Sequence, residues 1–312
     1  RRVTGAVTSQ VALVFPGQGS QRIGMLDTVP DKAGIAGLLE YAESLSGLEL
    51  RAIAAGGPDA ALADTRAAQP LLFLAGWAWA SAIADAGIRP TVVAGHSLGE
   101  LTALAVAGVF DVASGLELVV ERSRAMAAAA AATPGTMAAV LGMDSAVISE
   151  LVAPLDGVWI ANDNAPGQIV LTGTHAGIEV ATHALSEAGA RKIIPLSVAG
   201  PFHSPLMESA AEEFARVLES TPLREATVPI LQNTTATAAT DPDVIRARLR
   251  DQIVSPVRWT ETMLAILDRG IPVMVEAGPG AVLTGLGRRV DGLSVYAAET
   301  AGIEKLREEV AA

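Results

Sequence analysis

Thr91-Val92-Val93-Ala94-Gly95-His96-Ser97-Leu98-Gly99-Glu100 is a β-branched run that gives way to Gly-His-Ser-Leu-Gly and then to the apolar helical pattern of Leu101 to Val109. This order predicts a strand, a tight reversal and a helix, with Ser97 at the apex. Gly95 and Gly99 flank the serine because a strand that turns into a helix this sharply brings their backbones too close for a Cβ, while the apex residue is forced into a strained conformation. The Ser97 hydroxyl is thereby lifted clear of the sheet. The first free N–H groups of the helix, Leu98 foremost, aim at any negative charge that grows on an atom bonded to Ser97. Such a turn suits a covalent acyl intermediate. A bare Gly-x-Ser-x-Gly is short enough to arise by chance, and the strand before it and the helix after it are what give it weight.

Outward from this centre, the chain has 312 residues, 50% of them hydrophobic, which suffices for a large buried core and a second, smaller one. The poly-Ala stretch Ala127 to Ala132, followed by Thr133-Pro134-Gly135, is too short for a membrane span, so no membrane partner is expected. With no secretory signal visible, a cytoplasmic location is expected, and residues 1–10 read as a leader or expression remnant. The absence of cysteine excludes disulfides, a cysteine nucleophile and thiolate metal sites, and no metal site is expected. A net charge of −12 repels nucleic acid and anionic membrane surfaces, so a polyanionic partner would need a local basic patch.

Val11-Ala12-Leu13-Val14-Phe15 is an apolar run that opens into Pro16-Gly17-Gln18-Gly19-Ser20-Gln21, the pattern of a buried strand feeding a glycine-rich loop. Gln18, between two glycines, offers an accessible backbone N–H as a second oxyanion donor beside Leu98. Residues 31–56 and 59–65 predict amphipathic helices, residues 68–84 a longer apolar helix, and residues 112–132 a helix with charge at Glu117, Glu121, Arg122 and Arg124. From Pro134 the texture becomes β-α-β-β-α-β: strand 136–141, helix 145–151, strands 158–162 and 168–173, helix 176–188 and strand 190–197. Strands and helices then alternate again through 228–232, 242–253 and 273–276. The expected fold is therefore α/β, a large α/β-hydrolase-like unit with a mostly parallel sheet (residues 11–132 and 198–300) carrying an inserted ferredoxin-like small unit (133–197).

A serine hydroxyl needs a base, most often histidine, and the chain holds 4 histidines. His96 points elsewhere around the turn and is expected to hold the elbow by hydrogen bonding. His175 and His183 belong to the insert. His203 lies in a loop between Gly200, Pro201 and Pro205 where the chain returns to the main sheet, and it is the expected base. Asp163, the acid a hydrolase triad would ask for, sits in the insert, so a Ser-His dyad with a backbone carbonyl orienting the ring is the simpler arrangement.

Together the motifs resemble the malonyl-CoA:acyl carrier protein transacylase family, including polyketide synthase acyltransferases. The resemblance rests on Phe15-Pro16-Gly17-Gln18-Gly19-Ser20-Gln21, Gly95-His96-Ser97-Leu98-Gly99-Glu100, Arg122-Ser123-Arg124-Ala125-Met126, Gly200-Pro201-Phe202-His203-Ser204, Gln232-Asn233-Thr234-Thr235 and Glu276-Ala277-Gly278-Pro279-Gly280. It implies that Ser97 carries a malonyl ester, that His203 is the base, that the N–H groups of Gln18 and Leu98 form the oxyanion hole, and that the carbonyl of Gln252 orients His203. It further implies that Arg122 pairs with the free malonyl carboxylate, for which a planar, permanently charged fork is the right chemistry. Phe202 and Met126 are placed at the acyl pocket. Polyketide synthase domains that prefer malonyl usually carry His-Ala-Phe-His where this chain has Gly200-Pro201-Phe202-His203, a form similar to the free-standing enzymes; a ring at Phe202 should disfavour a methyl branch. The implied partners are malonyl-CoA, which as a CoA thioester is a substrate and not a cofactor, and an acyl carrier protein. No resident cofactor is expected.

Carrier proteins of this kind are acidic, so docking calls for clustered cations, with Arg191-Lys192, Arg288-Arg289 and the Arg246, Arg248, Arg250 row as candidates. The rival readings are a serine thioesterase or hydrolase on the same elbow, against which Arg122 argues, and an inactive docking module of a synthase, against which Ser97 and His203 argue.

Overall fold

The run Val11–Phe15 is unbroken because it forms a strand covered on both faces: Val11, Leu13 and Phe15 enter one hydrophobic core while Ala12 and Val14 enter another. The computed structural model describes residues 10–30 and 32–311; the leader read at residues 1–10 lies, apart from Gln10, outside the described residues. Among the described residues the strands are, in chain order, β1 (Val11–Phe15), β2 (Val92–Gly95), β3 (Thr136–Leu141), β4 (Val158–Ala165), β5 (Gln168–Gly173), β6 (Lys192–Pro195), β7 (Ile230–Leu231), β8 (Ala238–Ala239), β9 (Val257–Arg258), β10 (Val273–Glu276) and β11 (Ser294–Ala297).

The larger sheet has the order β11-β10-β1-β2-β7-β8, parallel throughout except for the antiparallel edge strand β8. Helices Thr65–Asp85, Leu98–Val106 and Val112–Ala132 pack over one face, and Trp259–Asp268 with Val282–Gly287 over the other. Thr65–Asp85 is long and apolar enough to cross a membrane by length and composition, but 78% of that window is buried inside the protein, which makes it the central core helix.

The second sheet has the order β6-β3-β5-β4-β9. Helices Ser145–Val152 and His175–Glu187 close one face, their Ile148 and Leu185 sharing a core with Val140 and Leu171 of the strands. Met137, Ala139, Ala161 and Val170, on the other face, join the core of the larger unit. This alternation seats the second sheet on the larger unit and makes its inner face one wall of a cleft.

Several local expectations shift. The stretch 31–56 holds two helices, Lys32–Ser46 and Leu50–Gly56, divided at Gly47, and the strand expected at 228–232 shortens to Ile230–Leu231. Val257–Arg258 forms strand β9, parallel to β4, a pairing not read in the sequence; it covers a β4 edge whose backbone would otherwise lack partners. Strand β11 and helix Ile303–Ala311 extend the fold beyond the last motif read in the sequence.

Candidate active site

The reversal after β2 has the geometry that its glycines imply. Ser97 has φ 51° and ψ −108°, a conformation that L-residues rarely adopt. A Cβ on Gly95 would lie 1.9 Å from the Gly99 carbonyl carbon, and one on Gly99 would lie 2.0 Å from the Phe15 oxygen. Gly17 is equally constrained, since its Cβ would sit 2.4 Å from the His96 oxygen. The loop after β1 therefore presses onto the elbow and brings Gln18 to the same cavity as Ser97 and Leu98, about 230 Å³ in volume. Leu98 is the first residue of its helix, where the N–H has no intrahelical acceptor. The Gln18 side chain is turned away and donates to Thr65 Oγ1 and the Ala63 carbonyl, both at 3.3 Å.

His203 arrives from the far side of the cleft. Its loop lies flat on helix Val112–Ala132, where a Cβ on Gly200 would meet the Ala130 methyl at 2.4 Å. The poly-Ala stretch is thus a surface of small side chains that lets this loop approach. His203 itself has φ 58°, and its Nδ1–H donates to the carbonyls of Gln252 at 3.0 Å and Ser255 at 3.1 Å. With Nδ1 the donor, Nε2 is the acceptor and receives the Ser97 hydroxyl at 2.9 Å. Burial, the Arg122 charge and His96 push the His203 imidazole down to about 3, so it is neutral and free to take a proton. Asp163 is engaged elsewhere, accepting from Thr260 Oγ1 at 2.5 Å.

Arg122 is fully buried directly behind Ser97. Its Nη2 donates to Ser97 Oγ at 3.1 Å and to Gln252 Oε1 at 2.9 Å, and its Nη1 donates to Gln69 Oε1 at 2.8 Å, while Nε has no partner. Burial lowers the guanidinium to about 10, which leaves it charged at neutral pH. Gln252 thus acts twice: its carbonyl orients His203, and its side chain joins Arg122 to the Ser97 carbonyl, to which Nε2 donates at 3.1 Å. Phe202 and Met126 line the cavity, as do Met137 and Val170 of the second sheet.

Sequence reading missed four contributors. Gln69, on the central helix, fixes Arg122 and reaches Met126 Sδ with its Nε2 at 3.4 Å. Asn162 and Asn164 both line the cavity from β4, whose two register shifts re-aim that strand. Asn164 Oδ1 lies 2.8 Å from Nε2 of His96, whose ring is tilted against Trp259 at 5.5 Å. Asn233 holds the backbone of the elbow. Asn233 falls in the motif Gln232-Asn233-Thr234-Thr235, which gave it no role; the other three carry no sequence signal beyond their residue type. Among the described residues no group of three or more His, Asp or Glu side chains is placed to hold a metal.

The family model described as the acyl transferase domain matches residues 12–302. The malonyl CoA-acyl carrier protein transacylase of Bacillus subtilis is 38% identical over 96% of this chain and 98% of its own length. That of Escherichia coli is 38% identical over 90% and 93%. The solved malonyl CoA-acyl carrier protein transacylase of Coxiella burnetii superposes with a TM-score of 0.93 at 31% identity, covering 99% of this chain and all of that one. A malonyl-transacylase solved in complex with its type II PKS acyl-carrier protein superposes with a TM-score of 0.89 at 35% identity, over 95% of this chain and 99% of that one.

Proposed function

The chain belongs to the acyl transferase family, with malonyl CoA-acyl carrier protein transacylases as its relatives, and from that premise we propose how it moves a malonyl group from CoA to an acyl carrier protein. The observation that carries the mechanism is that Ser97 Oγ stands 2.9 Å from a neutral histidine nitrogen and 3.1 Å from a buried guanidinium. Ser97 gives its proton to Nε2 of His203 and attacks the thioester carbonyl. The oxyanion is held by the N–H groups of Gln18 and Leu98. The C–S bond then breaks, and the CoA sulfur leaves with the proton from His203, so the ester forms with no net proton change. The phosphopantetheine thiol of the carrier protein runs the same steps in reverse. Arg122 grips the malonyl carboxylate, with Phe202 and Met126 against the acyl chain, so a docked thiol is aligned and water is a poor competitor. The activated acyl group comes with CoA, and the residues need no resident cofactor.

The strand order β6-β3-β5-β4, with both helices on one face, supports reading residues 133–197 as a ferredoxin-like insert on an α/β-hydrolase-like unit. The cytoplasmic placement is our reading, on which the burial of the apolar helix Thr65–Asp85 bears only by removing it as a membrane span. For carrier-protein docking we favour the exposed pairs Arg191-Lys192 and Arg288-Arg289, which are in no ion pair among the described residues. In the third cluster, Arg246 donates to the carbonyls of Leu218 and Thr221, and Arg248 to that of Thr237 at 3.0 Å, so both are occupied in holding the fold.

The deciding experiment is intact-mass measurement after malonyl-CoA addition. Wild type should gain a malonyl group that passes on to an added carrier protein, and Ser97→Ala should gain none. Labelling of the alanine variant, or release of free malonate as the main product with carrier protein present, would remove this reading.

A further inference from the structure

The backbone of the elbow is held by a side chain that the mechanism above does not use. Asn233 Oδ1 accepts from the Ser97 N–H at 2.7 Å, and Asn233 Nδ2 donates to the Gly95 carbonyl at 2.6 Å. One amide therefore clamps the turn on both sides of His96, from 136 and 138 residues away in the chain. Asn233 is fully buried and Ser97 half-buried, so loss of the amide leaves the Gly95 carbonyl and the Ser97 N–H without their built-in partner. Asn233 is itself fixed: its N–H donates to Glu100 Oε2 at 2.8 Å, and its carbonyl accepts from the Arg258 N–H at 3.1 Å. The other Glu100 oxygen accepts from Gln232 Nε2 at 3.1 Å. The Gln232-Asn233 pair and Glu100, two elements of separate sequence motifs, thus meet beneath the nucleophile.

We propose that Asn233, anchored by Glu100, is a positioning residue that holds the strained Ser97 backbone so that the hydroxyl stays on His203 and the Leu98 N–H stays aimed at the developing oxyanion. This rests on Ser97 being the residue that carries the acyl group. The chemistry explains the residue type. The turn presents one donor and one acceptor side by side, and a carboxamide answers both at once, whereas an ionised carboxylate would set a second acceptor against the Gly95 carbonyl. Arg122 bonds to Gln69, Ser97 and Gln252 and not to Asn233, so loss of the clamp should disturb the attack and leave the grip on the acyl carboxylate.

The test is rapid-quench measurement of acyl-enzyme formation from labelled malonyl-CoA, on the full chain, for wild type, Asn233→Ala and Asn233→Asp. Wild type must take label on Ser97; if it does not, the covalent reading fails independently of the clamp. Asn233→Ala should acylate roughly 10- to 100-fold more slowly, with the KM for malonyl-CoA within about twofold of wild type. Asn233→Asp supplies a readout that a scaffold role would not move. Its protonated carboxyl restores both bonds and its ionised form does not, so its acylation rate should fall as pH rises through that new ionisation, which wild type lacks. An aspartate variant whose pH profile parallels wild type, an alanine variant that acylates at the wild-type rate, or a loss expressed wholly in KM would each overturn the proposal. Should the alanine variant not fold, the aspartate profile decides.

Discussion

Arg122 Nη2 donates to the Ser97 hydroxyl across 3.1 Å, which places a permanent cation beside the atom expected to carry the acyl group. The guanidinium is aimed by neutral oxygens, those of Gln69 and Gln252, and among the described residues it has no carboxylate at ion-pair distance. Buried Glu100 acts on it only through space, beyond ion-pair distance, so the guanidinium is oriented by neutral groups and keeps its hydrogen-bonding charge for an acyl chain ending in a carboxylate.

Arg122→Ala should lower kcat/KM for malonyl-CoA by roughly 100-fold, about 3 kcal/mol. Acetyl-CoA, which lacks the carboxylate, should lose less. Arg122→Lys should not restore activity, because a point charge cannot face Gln69, Gln252 and a carboxylate at once. Steady-state kinetics with both thioesters checks this, and equal losses for the two would remove the carboxylate role.

His203 is held neutral by burial first, then by the Arg122 charge and His96, with its imidazole near 3. Above its ordinary value of about 6.5, folded and unfolded chains both carry it neutral, and its contribution to stability is fully present. As pH falls from there towards 3, only the unfolded chain takes up the proton, so that contribution is progressively lost. Urea midpoints measured from pH 7 down to 5 should fall, and fall less steeply in His203→Gln, where this titration is absent. The acid limb of kcat/KM, which reports the free enzyme, should lie well below about 6.5.

Gly95→Ala would put a methyl 1.9 Å from the Gly99 backbone, and no flexible side chain is there to yield. It should cost at least about 3 kcal/mol of stability or prevent folding. Gly37→Ala is the matched control: it lies within helix Lys32–Ser46 with nothing within 4 Å of the added Cβ, and should gain about 0.5–1 kcal/mol. Denaturant melts of the two variants check the contrast.

Glu276 ends β10 with its carboxylate buried, accepting the Leu283 N–H at 3.1 Å, and the Thr284 N–H and hydroxyl at 2.7 and 2.8 Å. It caps helix Val282–Gly287, whose Val282, Leu283 and Leu286 line the active-site cavity. Glu276→Ala should destabilise by about 2–3 kcal/mol by stranding these donors, and should raise the KM for malonyl-CoA as the cavity wall loosens. A melt and a KM determination test both.

Charge reversal at Arg288-Arg289 or Arg191-Lys192 should raise the KM for the carrier protein and leave the slow hydrolysis of malonyl-CoA unchanged. Reversal at Arg246 should instead lower the melting temperature, because that side chain caps the Leu218 and Thr221 carbonyls. The two readouts separate docking cations from structural ones.

What the sequence by itself determined is what short-range sterics and periodicity impose. Gly95, Ser97 and Gly99 specify the elbow because only their spacing lets a strand reverse into a helix. The apolar run Val11–Phe15 specifies a strand buried on both faces, and the alternation over residues 136–195 specifies the order of elements in the second sheet. The tertiary structure decided which distant polar groups meet. Gln69, Asn164 and Asn233 are ordinary amides until folding sets them against Arg122, His96 and Ser97, because a hydrogen bond depends on position in space and leaves no period along the chain. The same reason hid strand β9, two residues long, and the second role of Gln252, whose side chain and carbonyl serve different partners.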